Sequence, residues 1–329
     1  MIRDKGVAYY GVFSPNKAIA DYRDMSEHGI NSILFAISEF DYHFWYRGLV
    51  KVIEKAKEMG FRVYITLWGW GGVFKGEPPS VYLHKNVEGR QLSALEGKSL
   101  DAACPNNEEF KEYVIASVER LSEEISADYL LLQEPAYKIL KHENWSCRCE
   151  QCKSLFKDKY GYEMPKKLSQ EVIEFREMSL IRFIREVAQA IKRIDKDKKV
   201  ALCLPPKLET RLGIKNWESV LEVKELDMLG ISLYQEYISF REKAEDVQNL
   251  IKFLKLKFLD NKKESLALVQ GFNIPKGSEE GVVKLIRFLS SIEFTSVIIW
   301  SYRAGEGSLL ESGDPEKLWG LIGKVYKES

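Results

Sequence analysis

Short runs in which nearly every residue is apolar recur along the chain and alternate with longer amphipathic stretches. Eight such runs are present, at 5–13, 31–40, 61–70, 127–135, 198–206, 226–234, 264–272 and 294–302. Continuous apolar character is what strands buried on both faces require, as in parallel sheets covered by helices. The runs therefore predict eight strands of one parallel sheet.

The stretches between the runs carry helical patterns. NKAIADYRDMSEHG and WYRGLVKVIEKAKEMG follow the first two runs, and each ends at a glycine, a common helix C-cap. Strict alternation of eight strands with helices predicts an α/β fold, a (β/α)8 or TIM barrel, as a single domain over residues 1–329. A doubly wound open sheet is the competing architecture, but it gives no reason for eight strands. The first run is also followed by FSPNK rather than by GxGxxG. Further helices are predicted at 107–126, 169–195, 241–259, 278–291 and 315–328.

Two long insertions interrupt this alternation, at 71–106 and 135–168. They follow the third and fourth predicted strands, so a barrel places both at its carboxyl-terminal face. Active sites of TIM barrels lie at that face. We therefore expect function to be concentrated around enlarged loops after strands 3 and 4.

Charge and composition exclude several classes of partner. The chain has 49 basic and 49 acidic residues, so no basic excess is available to neutralise nucleic acid phosphates. It shows neither the apolar segment of a signal peptide nor a run long enough to span a membrane. We therefore expect a soluble cytoplasmic protein with no nucleic acid or membrane partner. Lys- and Glu-rich helices are typical of thermophiles.

Polar and aromatic residues gather at the ends of the eight predicted strands. Aromatic rings stack on the apolar faces of sugars, while carboxylates and amides bind hydroxyl groups, so such a set predicts a carbohydrate site. For the tryptophans, packing at the rim is the alternative. The strand-end residues are Tyr9, Tyr10, Glu39, Asp41, Trp68, Trp70, Gln133, Glu134, Tyr234, Glu236, Gln270, Asn273, Trp300, Tyr302, Arg303 and Glu306.

Hydrolysis of a glycosidic bond requires two carboxyl groups, one protonated and one ionised. Glu134 is the best candidate for the acid, because the apolar run YLLL breaks there into Gln-Glu-Pro. A carboxyl group packed against strand-end aromatic rings would have a raised pKa, as a general acid needs. Glu236, after the sixth run, is the first choice for the second carboxylate, and Glu39 and Asp41 are the alternatives.

Three of the five cysteines crowd into Cys147-Arg-Cys149-Glu-Gln-Cys152. In a protein of the reducing cytosol, this spacing indicates metal ligation rather than disulfides. Cys104, at the end of the first long insertion, is placed to supply a fourth ligand, whereas Cys203 lies within the fifth strand as a small buried residue. Four thiolates leave no position for water, so a structural zinc ion is predicted to staple the region 100–162.

These residues resemble the barrel domain of the family 42 β-galactosidases. In that family a catalytic acid ends the fourth strand, a Cys-x-Cys-x2-Cys element follows, and an upstream cysteine completes a zinc site. The resemblance implies glycoside hydrolase chemistry with Glu134 as acid/base and association into a homo-oligomer. Two positions depart from the family: Gln133 stands in place of asparagine, and Gln270 stands where a nucleophilic glutamate ends the seventh strand.

Three functions follow from this reading. The first is a glycoside hydrolase in which Glu134 works with Glu236, Glu39 or Asp41. The second is a non-catalytic carbohydrate-binding barrel, which Gln270 favours because an amide cannot form a glycosyl–enzyme ester. The third is a barrel enzyme of unrelated chemistry, with a phosphate bound near the loop NIPKGSEEG.

Overall fold

A computed structural model describes residues 1–141, 143–235 and 244–329. Eight parallel strands form a closed barrel in which each strand pairs with its neighbours in chain order and the last pairs with the first. The prediction of a (β/α)8 barrel is therefore confirmed. The strands are Asp4–Tyr9 (β1), Ser32–Ile37 (β2), Arg62–Leu67 (β3), Tyr129–Gln133 (β4), Lys199–Leu204 (β5), Met228–Leu233 (β6), Glu264–Gln270 (β7) and Ser296–Trp300 (β8).

Helices surround the barrel; Glu39–Phe44 and Val81–Lys85 are short additions to the repeating pattern, and the short helix Glu218–Leu221 connects β5 to β6. The long helix predicted at 169–195 is present, whereas the helix predicted at 241–259 is described from Ala244 onward. None of the described helices is long and apolar enough to cross a lipid bilayer. The helices are Pro15–Glu27 (α1), Glu39–Phe44 (α2), Tyr46–Glu58 (α3), Val81–Lys85 (α4), Glu108–Glu124 (α5), Glu150–Tyr160 (α6), Gln170–Ile194 (α7), Glu218–Leu221 (α8), Ala244–Asp260 (α9), Glu279–Ser291 (α10) and Pro315–Glu328 (α11).

The barrel interior is filled by side chains of graded size. Small residues such as Ala8, Ala201 and Cys203 alternate with Tyr64 and Trp300, and all are buried. Such filling makes the barrel a packed core and not a channel. Cys203 is thus the small buried residue that its place in the fifth strand predicts.

The two long insertions have secondary structure of their own. The first holds α4 and a small antiparallel sheet of Arg90–Leu92 and Ser99–Ala103. The second holds α6. An isolated bridge from Ser93 to Ser146 and the hydrogen bond from Ala94 N to Trp145 O (2.8 Å) join the insertions to each other. The predicted enlargement after strands 3 and 4 is confirmed.

At the amino-terminal end of the barrel, charged groups are paired. Asp4 is 2% exposed, and its carboxylate accepts hydrogen bonds from Arg3, Tyr64 (2.6 Å) and Ser296 (2.8 Å). Glu264 accepts hydrogen bonds from Arg3 (3.0 Å), Tyr129 and Lys199. These bonds satisfy a buried carboxylate and a partly buried one, and they join residues of six strands.

Candidate active site and metal centre

Glu134 directly follows β4 and is 5% exposed. Its backbone lies in the left-handed region (φ 44°), and its N–H donates to Cys203 O on the neighbouring strand (2.8 Å). A non-glycine residue in this region costs conformational energy, and such residues cluster at functional sites. Five other described non-glycine residues share this backbone region, and the role of Glu134 as the acid stays a prediction.

Two cavities open beside Glu134. The mouth cavity, of 190 Å³, lies over the barrel axis and is lined by Gln133, while the side cavity, of 890 Å³, is lined by Glu134 and by the loops after β3, β4 and β5. The segment Lys75–Glu77 lines both cavities and so lies between them. The side cavity has the size of small-molecule sites, which span about 300–1,000 Å³.

Aromatic rings and amides line the mouth cavity. Trp68 and Trp300 lie with ring centroids 5.9 Å apart, and Tyr234 packs edge-on against Phe272 at 5.5 Å. Gln133 Nε2 donates to Tyr234 Oη (3.4 Å). Five of the predicted substrate-binding residues are brought together here: Trp68, Gln133, Tyr234, Gln270 and Trp300.

The side-chain amide of Gln270 is held at both ends by backbone. Its Oε1 accepts from Gln235 N (2.7 Å), and its Nε2 donates to Phe272 O (2.9 Å). A carboxylate at this position would set one of its oxygens against the Phe272 carbonyl. The position is therefore built for an amide.

Glu39 and Trp70 lie outside the linings of both cavities, which departs from their predicted role as sugar ligands. Glu39 is 1% exposed, and its carboxylate accepts from Gly71 N (2.7 Å), Ser80 Oγ (2.7 Å) and Tyr82 N (2.6 Å). Burial raises the pKa of Glu39, although these hydrogen bonds act in the opposite direction. Trp70 is fully buried and donates to Ile37 O. Both side chains hold the loop after β3.

Asp41 and Arg303 also lie outside the two cavity linings. Asp41 closes a capping box at the start of α2, because its carboxylate accepts from Ser38 N (3.0 Å). Burial raises the pKa of Asp41. Arg303 pairs with Asp24 of α1 (3.3 Å) and turns toward the outer helices. The predicted second carboxylate, Glu236, lies outside the described residues, as does His142.

The sequence reading missed Lys75, Gly76 and Glu77, which line both cavities. Glu77 accepts a hydrogen bond from Trp68 Nε1 (3.0 Å), and Lys75 N donates to Gln133 O (3.1 Å). These bonds fold the insertion back over the barrel. The only sequence signal was the glycine-rich composition of the insertion, and composition does not show where the chain folds back over the barrel.

Cys104, Cys147, Cys149 and Cys152 form one cluster in which all four sulfurs lie within 4.8 Å of one another. The Sγ of Cys104 lies 3.4 Å from that of Cys152 and 3.7 Å from that of Cys149. A tetrahedral zinc ion with Zn–S bonds of about 2.3 Å separates its sulfurs by about 3.8 Å. The cluster can therefore hold a metal ion, as the spacing predicts.

The surroundings of the cluster favour a thiolate at Cys149, whereas hydrogen bonds among the thiols together with burial raise the pKa of Cys104 and that of Cys152. The pKa of Cys149 falls well below its usual range because Cys104, Cys147 and Cys152 donate hydrogen bonds to its sulfur. Cys149 is also the N-cap of α6, where the helix dipole favours negative charge. Asn106 Nδ2 lies 3.4 Å from Cys152 Sγ and supplies a further N–H donor.

No protein-family model and no curated protein matches this chain. Among solved structures, it is similar to a β-galactosidase from the haloarchaeon Halorubrum lacusprofundi, with a TM-score of 0.75 and 15% identity over 98% of this chain and 57% of that one. The GH42 β-galactosidase Gan42B gives a TM-score of 0.74 and 13% identity over 99% of this chain and 56% of that one. The chain thus spans somewhat more than half of each β-galactosidase.

A third neighbour is matched along nearly its whole length. The glycoside hydrolase domain of PgaB (BpsB) from Bordetella bronchiseptica gives a TM-score of 0.67 and 14% identity over 98% of this chain and 99% of that one. Identities this low show a common fold and nothing finer. The chain has the (β/α)8 barrel fold that these glycoside hydrolases share.

Proposed function

We propose that this protein is a glycoside hydrolase that acts on an oligosaccharide, with Glu134 as the general acid. The observation that carries the proposal is the position of Glu134 at the left-handed end of β4, in the wall of the side cavity and directly after Gln133, which lines the mouth cavity. An acid at this position can protonate a glycosidic oxygen of a sugar chain bound in the side cavity. The similar structures of β-galactosidases and of the PgaB glycoside hydrolase domain support this chemistry by fold.

The aromatic mouth cavity provides the sugar-binding surface. Trp68 and Trp300 offer ring faces to the apolar face of a pyranose, while the amide of Gln133 and the hydroxyl of Tyr234 offer hydrogen bonds to its hydroxyl groups. The larger side cavity then takes the further sugar units. We expect cleavage of oligosaccharides to be faster than cleavage of the corresponding disaccharide.

Glu236 remains our proposal for the second carboxylate, because it directly follows Gln235, a residue of the mouth cavity. In the proposed reaction Glu134 gives its proton to the leaving oxygen as the bond from that oxygen to the anomeric carbon breaks. Glu236 takes a proton from the water whose oxygen forms the new bond to that carbon. This sequence of proton transfers inverts the anomeric configuration and needs no nucleophile at Gln270.

Leaving-group dependence tests the role of Glu134. We expect Glu134→Gln to abolish cleavage of oligosaccharides but to retain much of the activity on dinitrophenyl glycosides, whose leaving group needs no proton. Glu236→Gln should lose activity on both kinds of substrate. Glu209→Gln removes another carboxylate from the side-cavity wall and is the matched control. Equal loss on both kinds of substrate in Glu134→Gln would contradict the assignment of the acid.

A carbohydrate-binding barrel without catalysis is the second candidate, and the locked amide of Gln270 favours it. It predicts binding of oligosaccharides in titration calorimetry with no turnover by the wild-type protein. Measurable turnover that disappears in Glu134→Gln would exclude it.

We also propose that the cysteine cluster binds one structural zinc ion. Four sulfur ligands near tetrahedral spacing, three of them fully buried, leave no position for a catalytic water. The ion would hold the two long insertions together beside Glu134.

A further inference from the structure

Arg176 in α7 is a buried cation whose described partners are all neutral. The side chain is 1% exposed, and its Nε donates to Ser146 O (2.6 Å). Its Nη1 and Nη2 donate to Thr210 O (2.7 Å) and Arg211 O (2.8 Å). Within the described ranges, no carboxylate oxygen lies within 4.0 Å of this guanidinium.

A guanidinium buried without an anion is costly, because carbonyl dipoles replace only part of its hydration. Buried charges in proteins are therefore almost always paired with an opposite charge. The carbonyl bound by Arg176 Nε belongs to Ser146, and the next residue is Cys147 of the cysteine cluster. The guanidinium also lies 4.5 Å from the ring centroid of Tyr137, which closes it off from solvent.

A divalent ion held by four thiolates carries a net charge of −2, which is equally costly when buried. The metal–thiolate cluster thus lacks a counter-cation, and Arg176 lacks a counter-anion. We propose that Arg176 is the counter-cation of the metal–thiolate centre, a positioning residue that stabilises the charge of the centre and fixes the Ser146–Cys147 backbone. This role rests on the proposed metal site.

The same side chain joins the metal region to the wall of the side cavity. Thr210 and Arg211 lead directly to Leu212, whose carbonyl accepts from Tyr137 N (2.9 Å), and both Leu212 and Tyr137 line the side cavity. In the alternative role, the charge of Arg176 does not matter, and its side chain serves only to join three backbone carbonyl groups by hydrogen bonds.

Zinc affinity separates the two roles. We expect Arg176→Met to weaken zinc binding about 10- to 100-fold in competition with a chromogenic chelator, the range for lost outer-shell partners of metal ligands. Arg176→Lys keeps the positive charge but loses the forked guanidinium group with its several N–H donors, so this variant should bind zinc nearly as the wild type does. Arg90→Met is the matched control, because Arg90 also donates through its side chain only to a carbonyl, that of Leu83, but is partly exposed to solvent and is not flanked by zinc ligands. It should change zinc affinity little.

A stability cycle gives a second readout that does not depend on zinc affinity. In the zinc-loaded protein Arg176→Met should lower the melting temperature, whereas in the metal-free Cys149→Ser background it should have little effect or raise it. Equal losses in both backgrounds, or unchanged zinc affinity in Arg176→Met, would overturn the counter-cation role. If Arg176→Met does not fold, zinc affinity in Arg176→Lys as weak as in Cys149→Ser would overturn it too. A wild-type protein that binds no metal would contradict the metal site itself, a separate result.

Discussion

At the amino-terminal end of the barrel, charged side chains are paired with one another, whereas at the carboxyl-terminal end polar groups surround open cavities. Asp4 and Glu264 satisfy their carboxylates with cations and hydroxyls from several strands. At the other end, Glu134 and Asn273 follow their strands with left-handed backbone (φ 44° and 50°). At the amino-terminal end the left-handed non-glycine residues Lys262 and Glu293 lie in turns that follow helices, whereas Glu134 directly follows a barrel strand.

The two ends of the barrel therefore have different roles. A strained backbone persists only where the surrounding structure holds it in place. We infer that the paired charges at the amino-terminal end and the cysteine cluster stabilise the left-handed residues at the carboxyl-terminal end. Substitutions at the amino-terminal end should therefore change stability and leave activity per folded molecule intact. Substitutions at the carboxyl-terminal end should do the reverse, with the cysteine cluster and the hydrogen-bonded amide of Gln270 as exceptions.

Loss of the metal is the largest effect we expect. Structural zinc contributes about 10–16 kcal/mol of binding free energy in zinc-finger peptides. Cys149→Ser should reduce the zinc content from one equivalent per chain to none by elemental analysis and lower the melting temperature. Cys203→Ala, which removes a cysteine of the barrel interior, is the control and should keep the zinc. Zinc retained in Cys149→Ser would mean that the cluster does not bind it.

Loss of the acid comes next. General acid catalysis contributes about 10²–10⁴-fold, so Glu134→Gln should lower kcat on oligosaccharides by about that factor. The melting temperature should stay within a few degrees of wild type, because glutamine has the same size and shape as glutamate. A large drop in melting temperature would mean that the carboxyl group of Glu134 stabilises the fold, as the paired charges at the amino-terminal end do.

Restoring a carboxylate at the end of β7 should cost stability. Gln270→Glu leaves the Phe272 carbonyl without its donor, and an unsatisfied buried polar group costs about 1–3 kcal/mol. We expect a lower free energy of unfolding in urea and no gain in hydrolysis. Gln248→Glu on the exposed face of α9 is the control. A gain in hydrolysis with retention of configuration would show that the amide merely replaces a nucleophile.

The smallest expected effect concerns Glu264 at the amino-terminal end of the barrel and is a change in the pH dependence of stability. Burial acts to raise the pKa of Glu264, but hydrogen bonds from Arg3, Lys199 and Tyr129 outweigh it and lower the pKa to about 2. A lowered pKa in the folded state adds stability above the unfolded value of 4.5, and this stability is lost as pH falls toward 2.

Glu264→Gln should accordingly lower the free energy of unfolding at pH 7 by about 1–2 kcal/mol, allowing for solvent screening. The difference from wild type should shrink between pH 4.5 and pH 2, as measured by urea unfolding at each pH. Asp158→Asn, at an exposed position of α6, is the control. A difference that does not change with pH would mean that the charge of Glu264 adds no stability.

The fold could be predicted because each strand is apolar on both faces and each helix on one. The predicted run 127–135 contains β4, and the break of that run into Gln-Glu-Pro marks Glu134. The grouping of Cys104 with the other three cysteines was also predictable, since loops after adjacent strands are neighbours. Local pattern and barrel topology together were sufficient for these features.

The interior of the insertions could not be predicted in the same way. Glu39 follows its strand as a sugar ligand would, yet its carboxylate is taken by two backbone N–H groups and a hydroxyl from residues 71–82. Nothing near Glu39 in the sequence indicates that these donors return to it. The small sheet of Arg90–Leu92 and Ser99–Ala103 is likewise too short to show a periodicity. The partners of such residues are set by contacts with residues distant in the sequence, which local patterns do not reveal.

The segment between the two cavities owes its path to Gly76. A Cβ atom at that position would lie 2.4 Å from Trp68 Cδ1, so the backbone can cross the indole ring only because no side chain is there. A ligand that fills both cavities must bend around this crossing. For the proposed oligosaccharide substrate, we therefore expect a kinked chain to fill the two cavities better than an extended chain of the same sugars.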